Sequence, residues 1–295
     1  MAATGTGTQA DPYVVDNWPD FLTVCNLTTS TYIVWADSEN KVIDFNTIND
    51  RGFTDTITIK GNVDFNSWEL RNLNSSARYV LSFYGASNNK PTVQNLKITN
   101  ARHVPETATG GQAFIYEQYV IFDHISISYE FDYSVGGASY AINATSGTGT
   151  YYRLGIYAYG MVLDNSWQFM STARISRYCR FHCDVQATNC TNLVNGDLID
   201  SVVSGSITID NDSVSQFLVG GTNSTLNVIR VQSNKTVRYN GKGISLKVDK
   251  DYTGDIVRPN ISTWDEHVLT VNTAQARTEQ AAILAAGFPL HRSID

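Results

Sequence analysis

The chain has 295 residues, 42% of them hydrophobic and 17% charged, with a formal net charge of −7. Ordinary soluble domains carry about 25% charged residues, and an acidic chain without clustered Lys and Arg is poorly suited to nucleic acid. No apolar run approaches the roughly 20 residues of a membrane-spanning helix, which argues against membrane insertion.

Asn is abundant, at 25 residues, whereas Pro is scarce at six. Few charges with much Asn, Thr, Ser and Gly favour strands and turns over long solvated helices, so an all-β fold is expected. The first residues, Met1-Ala-Ala-Thr-Gly-Thr-Gly-Thr8, have neither a basic region nor an apolar stretch. They do not read as a secretory signal, and synthesis in a cytoplasm is expected. The four cysteines, Cys25, Cys179, Cys183 and Cys190, are too few for a disulfide framework. Eight Asn-x-Ser/Thr sequons, among them Asn26, Asn74 and Asn143, then follow from composition.

In chain order, Asp16-Asn-Trp-Pro-Asp-Phe-Leu-Thr-Val-Cys25 predicts a short helix. Asp16 or Asn17 caps it, Pro19 fits its first turn, and Trp18, Phe21, Leu22 and Cys25 share one face. A series of short alternating strands follows: Ile57–Lys60, Val93–Ile98, Ile121–Ser128, Ser206–Asp210 and Leu226–Val231. Several share a polar pair before apolar-x-apolar, as in Gln94-Asn95-Leu-Lys-Ile, Asp123-His124-Ile-Ser-Ile and Asp164-Asn165-Ser-Trp-Gln-Phe. Their irregular spacing suits a solenoid whose coils carry loops of different length. Asn272-Thr-Ala-Gln275 is a capping box opening a helix over Ala274–Ala286, closed by Gly287 and Pro289.

A β-sandwich also gives alternating strands. Hairpin signals are rare, however, with Asn88-Asn89 and Tyr239-Asn-Gly241 the best. A parallel β-helix is favoured because Asn tolerates left-handed corners and stacks in ladders. It also explains a helix at each end, since an open solenoid end exposes core and unpaired backbone. The expected organisation is a lead-in segment and capping helix over 1–30, a parallel β-helix over 31–236, and a last coil with a capping or attachment segment over 237–295.

Gly5-Thr-Gly-Thr-Gln-Ala-Asp-Pro-Tyr-Val-Val-Asp-Asn-Trp18 resembles the segment that precedes right-handed, pectate-lyase-like β-helices in surface and phage proteins. Ile43-Asp-Phe-Asn and Val63-Asp-Phe-Asn-Ser-Trp-Glu-Leu-Arg-Asn-Leu73 look like coils of that fold. Ala281-Ala-Ile-Leu-Ala-Ala-Gly-Phe-Pro-Leu290 is similar to the ending of β-helical virion proteins of phages and prophages. The resemblance implies a right-handed single-stranded parallel β-helix in a virion, as a tail spike, fibre or decoration protein. It further implies a homotrimer docked on a capsid or tail partner and facing a host-surface glycan or protein. The alternative it carries is a polysaccharide depolymerase, hydrolase or lyase.

Between Phe114 and Phe169, 14 of 56 residues are Phe, Tyr or Trp. Flat rings with a polar handle suit sugars and protein interfaces, and the same rings can instead stack within the core. The candidate ligand-binding residues are Tyr133, Tyr151, Tyr152, Tyr157, Tyr159 and Trp167. A glycoside hydrolase needs two carboxyls about 5 to 9.5 Å apart. Asp123, Glu130, Asp132 and Asp164 are the candidates, with Asp184 and Asp200 on later coils. Turn capping is the ordinary role for acids placed before apolar strands. Cys179, His182, Cys183 and Cys190 could supply zinc ligands by type. In a strand His182 points away from Cys179 and Cys183, so no metal and no cofactor is expected. His124 and His267 have no nucleophile motif nearby.

Overall fold

A computed structural model of the chain describes residues 3–47, 54–106, 111–133, 138–145, 149–171, 175–177 and 179–189, and the backbone of further strands between 194 and 270. The predicted C-terminal helix, Cys190, Asp200 and His267 lie outside the described residues. The chain begins with β1 (Tyr13–Val15), α1 (Trp18–Val24), β2 (Tyr32–Trp35), β3 (Val42–Asp44) and β4 (Ile57–Lys60). Next come β5 (Asn62–Asp64), β6 (Glu69–Arg71), β7 (Asn74–Ser75), β8 (Tyr79–Tyr84) and β9 (Thr92–His103). They lead into β10 (Gln112–Gln118), β11 (Ile121–Tyr133), β12 (Ser139–Ala144), β13 (Thr150–Met170), β14 (Ile175–Arg177) and β15 (Arg180–Asn189).

Every pairing between named strands is parallel, and the strands stack into a β-solenoid, not a sandwich. One face climbs through β1, β2, β5, β9, β11, β13 and β15. A second climbs through β4, β8, β10 and β12 to the end of β13. The long β13 serves both faces, because Thr150–Val162 pairs with β11 and Trp167–Met170 with β12. Parallel pairing continues past the described side chains to Val268–Thr270.

In-register stacking puts the same kind of residue at the same place in each coil. Leu70, Ile98, Ile127, Ile156 and Phe181 form one inward column, and Ile57, Leu81, Ile115, Ile142 and Met170 another. All ten are buried. Alternation turns the residues between them outward, which is why the strands read apolar-polar in sequence.

The polar pairs mark corners. Asn66 (φ 49°), Asn95 (φ 59°), His124 (φ 53°) and Arg153 (φ 50°) lie 29 residues apart, all left-handed, in one column. Asn72 and Asn100 form a second such column, where Asn100 Nδ2 donates to Asn72 Oδ1 and Asn72 Nδ2 to Asp44 Oδ1. Asn is well suited there because its short side chain tolerates this backbone and bonds to its neighbours.

The N-terminal end is closed by α1. Asn17 caps it, its Oδ1 accepting from Asp20 N at 2.9 Å, and Trp18, Phe21 and Val24 are buried. Leu22 departs from expectation: it is 40% exposed, because the buried stripe runs through Trp18, Phe21, Val24 and Cys25. Before the helix, Gly5 (φ 95°) and Gly7 (φ 75°) let the lead-in segment fold back, and Thr4 pairs antiparallel with Val14. That bridge engages the outer edge of β1, which would otherwise present unpaired backbone.

Gly61 (φ 88°) lies where a Cβ would stand 2.5 Å from the Thr31 carbonyl oxygen. Gly61→Ala is therefore expected to cost about 1–3 kcal/mol in urea unfolding, from backbone strain and overlap together.

Candidate functional site

The sequence-derived aromatic candidates divide by the alternation of their strands. Tyr133, Tyr151, Tyr157 and Trp167 are each at most 1% exposed. These four side chains are buried within the solenoid. Trp167 stacks on Phe131 with ring planes 6° apart, and Tyr151 on Phe122 at 20°. Tyr133 packs edge-on against His103. Tyr157 occupies an outward row with Ser128 and His182 but is covered. Tyr152 and Tyr159 remain partly exposed.

The aromatic face open to solvent lies on β8, β10 and β12. Tyr79, Tyr84, Tyr116 and Tyr140 are all partly exposed there. Tyr79 and Tyr140 flank Ala113 in one register row, and Tyr116 lies between Ser82 and Asn143 in another. Ring centroids are 4.9 Å apart for Tyr79–Tyr116 and 5.4 Å for Tyr84–Tyr116. Asn143 Nδ2 donates to Tyr79 Oη at 3.3 Å, and Tyr116 Oη bonds to Thr145 Oγ1 at 3.2 Å. Arg78 covers one end, its guanidinium 5.0 Å from the Tyr79 ring centroid, with Nε donating to Gly111 O at 2.7 Å. Burial pushes the Tyr79, Tyr84 and Tyr140 hydroxyls up, so all three stay neutral phenols.

The aromatic-rich segment Phe114–Phe169 includes Tyr116 and Tyr140 but not Tyr79 and Tyr84. Parallel pairing supplies the missing link, since Tyr79 and Tyr116 are 37 positions apart in sequence and adjacent in space. The available signal was the pair Tyr79 and Tyr84 bracketing an apolar strand.

The acids also separate. Asp123 is bound by Arg153, Nε to Oδ1 at 2.8 Å and Nη2 to Oδ2 at 2.6 Å, with His124 Nδ1 3.3 Å from Oδ1. This two-bond pair ties consecutive coils together at the left-handed corner, and both its oxygens are engaged. Glu130 and Asp132 lie two residues apart on the outward side of β11, Glu130 exposed and Asp132 partly so. Glu130 lies between Arg102 and Tyr159 in register, and Asp132 beside Met161. Asp164 and Asp184 are strand residues of β13 and β15 whose side chains lie outside the described set.

Another carboxylate was missed. Glu69 accepts from Arg71 Nε (2.9 Å), Lys97 Nζ (2.9 Å) and Thr99 Oγ1 (2.5 Å). Burial raises its pKa, but these donors outweigh that and hold it at about 2. A depressed carboxylate stabilises the fold above its unfolded pKa of about 4.5 and loses that contribution as pH falls toward 2. Glu69→Gln should flatten the stability-versus-pH curve in that window, read by urea unfolding at pH 5, 4 and 3.

Among the described residues, no group of three or more His, Cys, Asp or Glu is placed to hold a metal ion. Cys183 points inward beside Ala158, whereas His182 lies against the Tyr157 and Tyr159 rings. No helix among them is long and apolar enough to cross a membrane. Comparison with protein families, curated proteins and solved structures finds no match to this chain.

Proposed function

We propose that the chain is a structural and adhesive solenoid that holds a surface glycan on the tyrosine face of β8, β10 and β12. The observation that carries this reading is the cluster Tyr79, Tyr84, Tyr116 and Tyr140, open to solvent on a rigid, in-register scaffold. Rings on three successive strands offer flat apolar surfaces at a repeating spacing, with phenol hydroxyls as donors at their edges. A polymer of sugar rings repeats in the same way.

The setting we propose is a phage virion, as spike, fibre or decoration protein, with the chain forming a homotrimer on a capsid or tail partner. Support for it comes from the lead-in and tail sequences that resemble β-helical virion proteins. Affinity electrophoresis through gels containing bacterial surface polysaccharide should retard the protein. Tyr116→Ala, which removes the central ring, should weaken retardation about tenfold, the worth of one aromatic stacking contact. Equal mobility with and without polysaccharide would overturn the reading.

A second reading, polysaccharide cleavage, is favoured by Glu130 and Asp132. Two residues on one side of a strand lie roughly 6.5 Å apart, within the carboxyl separation that glycosidases use. New reducing ends that disappear in Glu130→Gln would establish it.

A further inference from the structure

The tyrosine face is flanked by cations at both ends. Arg78 lies over Tyr79, and Lys60 is the register partner of Tyr84 on β4. Of the other described cations, Lys41 pairs with Asp37, Arg71 and Lys97 with Glu69, and Arg153 with Asp123. Among the described residues neither Arg78 nor Lys60 forms a salt bridge. The chain brings Glu106 toward the Arg78 end, its N–H donating to Ser76 O, yet this carboxylate makes no ion pair with Arg78. The Nε of Arg78 is committed to Gly111 O, which fixes the guanidinium plane and leaves its terminal nitrogens for a ligand. In a chain of net charge −7, this aromatic face has a cation without an ion pair at each end of β8.

We infer that the polymer this face takes is an acidic polysaccharide, its carboxylate or sulfate groups read by Arg78 and Lys60 while its rings lie on the tyrosines. The inference rests on the glycan reading above and deepens it. Arg78 and Lys60 stand at opposite ends of β8, with the rings of Tyr79, Tyr116 and Tyr84 in sequence between them, so the polymer runs along the strand direction, across the solenoid axis. Guanidinium binds carboxylate and sulfate through paired N–H donors, and ammonium as a point charge, which assigns the finer selection to Arg78. A protein partner would suit the rings equally but would not need a charge at each end of them.

The test compares alginate with the same polymer after reduction of its carboxylates to alcohols, by calorimetric titration of the full chain. The expected result is binding of alginate at least tenfold tighter than of the reduced polymer, a preference that shrinks with added salt. Lys60→Gln and Arg78→Met should each remove most of that preference. Lys60 carries the decisive control, since its side chain makes no hydrogen bond or ion pair among the described residues and its loss should leave the melting temperature unchanged. Equal binding of both polymers, unaffected by either variant, would overturn the charge selection and leave the glycan reading intact. Binding of neither would overturn both.

Discussion

Trp35→Ala is expected to lower the unfolding free energy by about 3–5 kcal/mol, the range for deleting a fully buried aromatic ring. Trp35 is wholly inaccessible to solvent and lies at the meeting point of the cap and the first coils. Its ring centroid is 5.3 Å from Phe21, 5.0 Å from Trp68 and 5.8 Å from Phe65, and it stacks on the last at 21°. Phe21 belongs to α1, so the indole couples the helix to the coils of β2 and β5. In a solenoid each coil is stabilised chiefly by its neighbours, and the loss should concentrate at the N-terminal end. Urea titration by circular dichroism should show a lowered midpoint. Amide exchange should accelerate in β1, β2 and β5 before β11 and β13. Leu22→Ala, on the exposed side of the same helix, should stay within about 0.5 kcal/mol of the parent. If Trp35→Ala matched that control, the ring would not be what holds the cap.

The second large effect is a loss of stability in mild acid through His103. This imidazole is completely buried, with Nδ1 2.8 Å from Tyr133 Oη and Nε2 2.8 Å from Ala77 O. A carbonyl only accepts, so Nε2 carries the proton and Nδ1 receives the Tyr133 hydroxyl. Burial pushes Tyr133 well above the usual phenol range, so it stays a donor. Burial lowers the His103 pKa from 6.5 to about 4, against a smaller opposing effect of the Ala77 carbonyl. The unfolded chain therefore binds a proton at this residue between pH 6.5 and 4 that the folded chain refuses. Stability is whole above pH 6.5, falls as pH drops toward 4, and levels off below. The total is roughly 3 kcal/mol at about 1.4 kcal/mol per pKa unit. The Glu69 window lies lower, so the two are separable. His103→Gln should lose the slope between pH 6.5 and 4, and a slope that survived would locate the acid response elsewhere.

Much of the scaffold was legible because two periodicities write themselves into the sequence. Alternation in Ile57–Lys60 and Ile121–Ser128 gave the strands, and the polar pairs Gln94-Asn95 and Asp123-His124 gave the corners. Tyr152-Arg153-Leu-Gly-Ile156 occupies the same corner in the next coil, yet an aromatic and an arginine disguise it. Arg153 holds that strained backbone through its two bonds to Asp123, a compensation made across coils. The aromatic face was harder, because whether a tyrosine turns inward or outward depends on which strand bends at a corner. In β8 both Val80 and Leu81 point inward, which breaks the alternation and moves Tyr79 and Tyr84 to the outside together.

The pairing of β11 with β13 carries a consequence for how such a shaft changes length. Ile121–Tyr133 matches Thr150–Val162 with a constant offset of 29, the interval that also separates Asn66, Asn95, His124 and Arg153. Duplicating or excising one such segment would add or remove a whole storey while every remaining side chain kept its bearing. An odd change of one residue would exchange lining for cladding throughout the storey. The molecule is thus built to be lengthened by the module, and its reach can evolve without redesign of its walls.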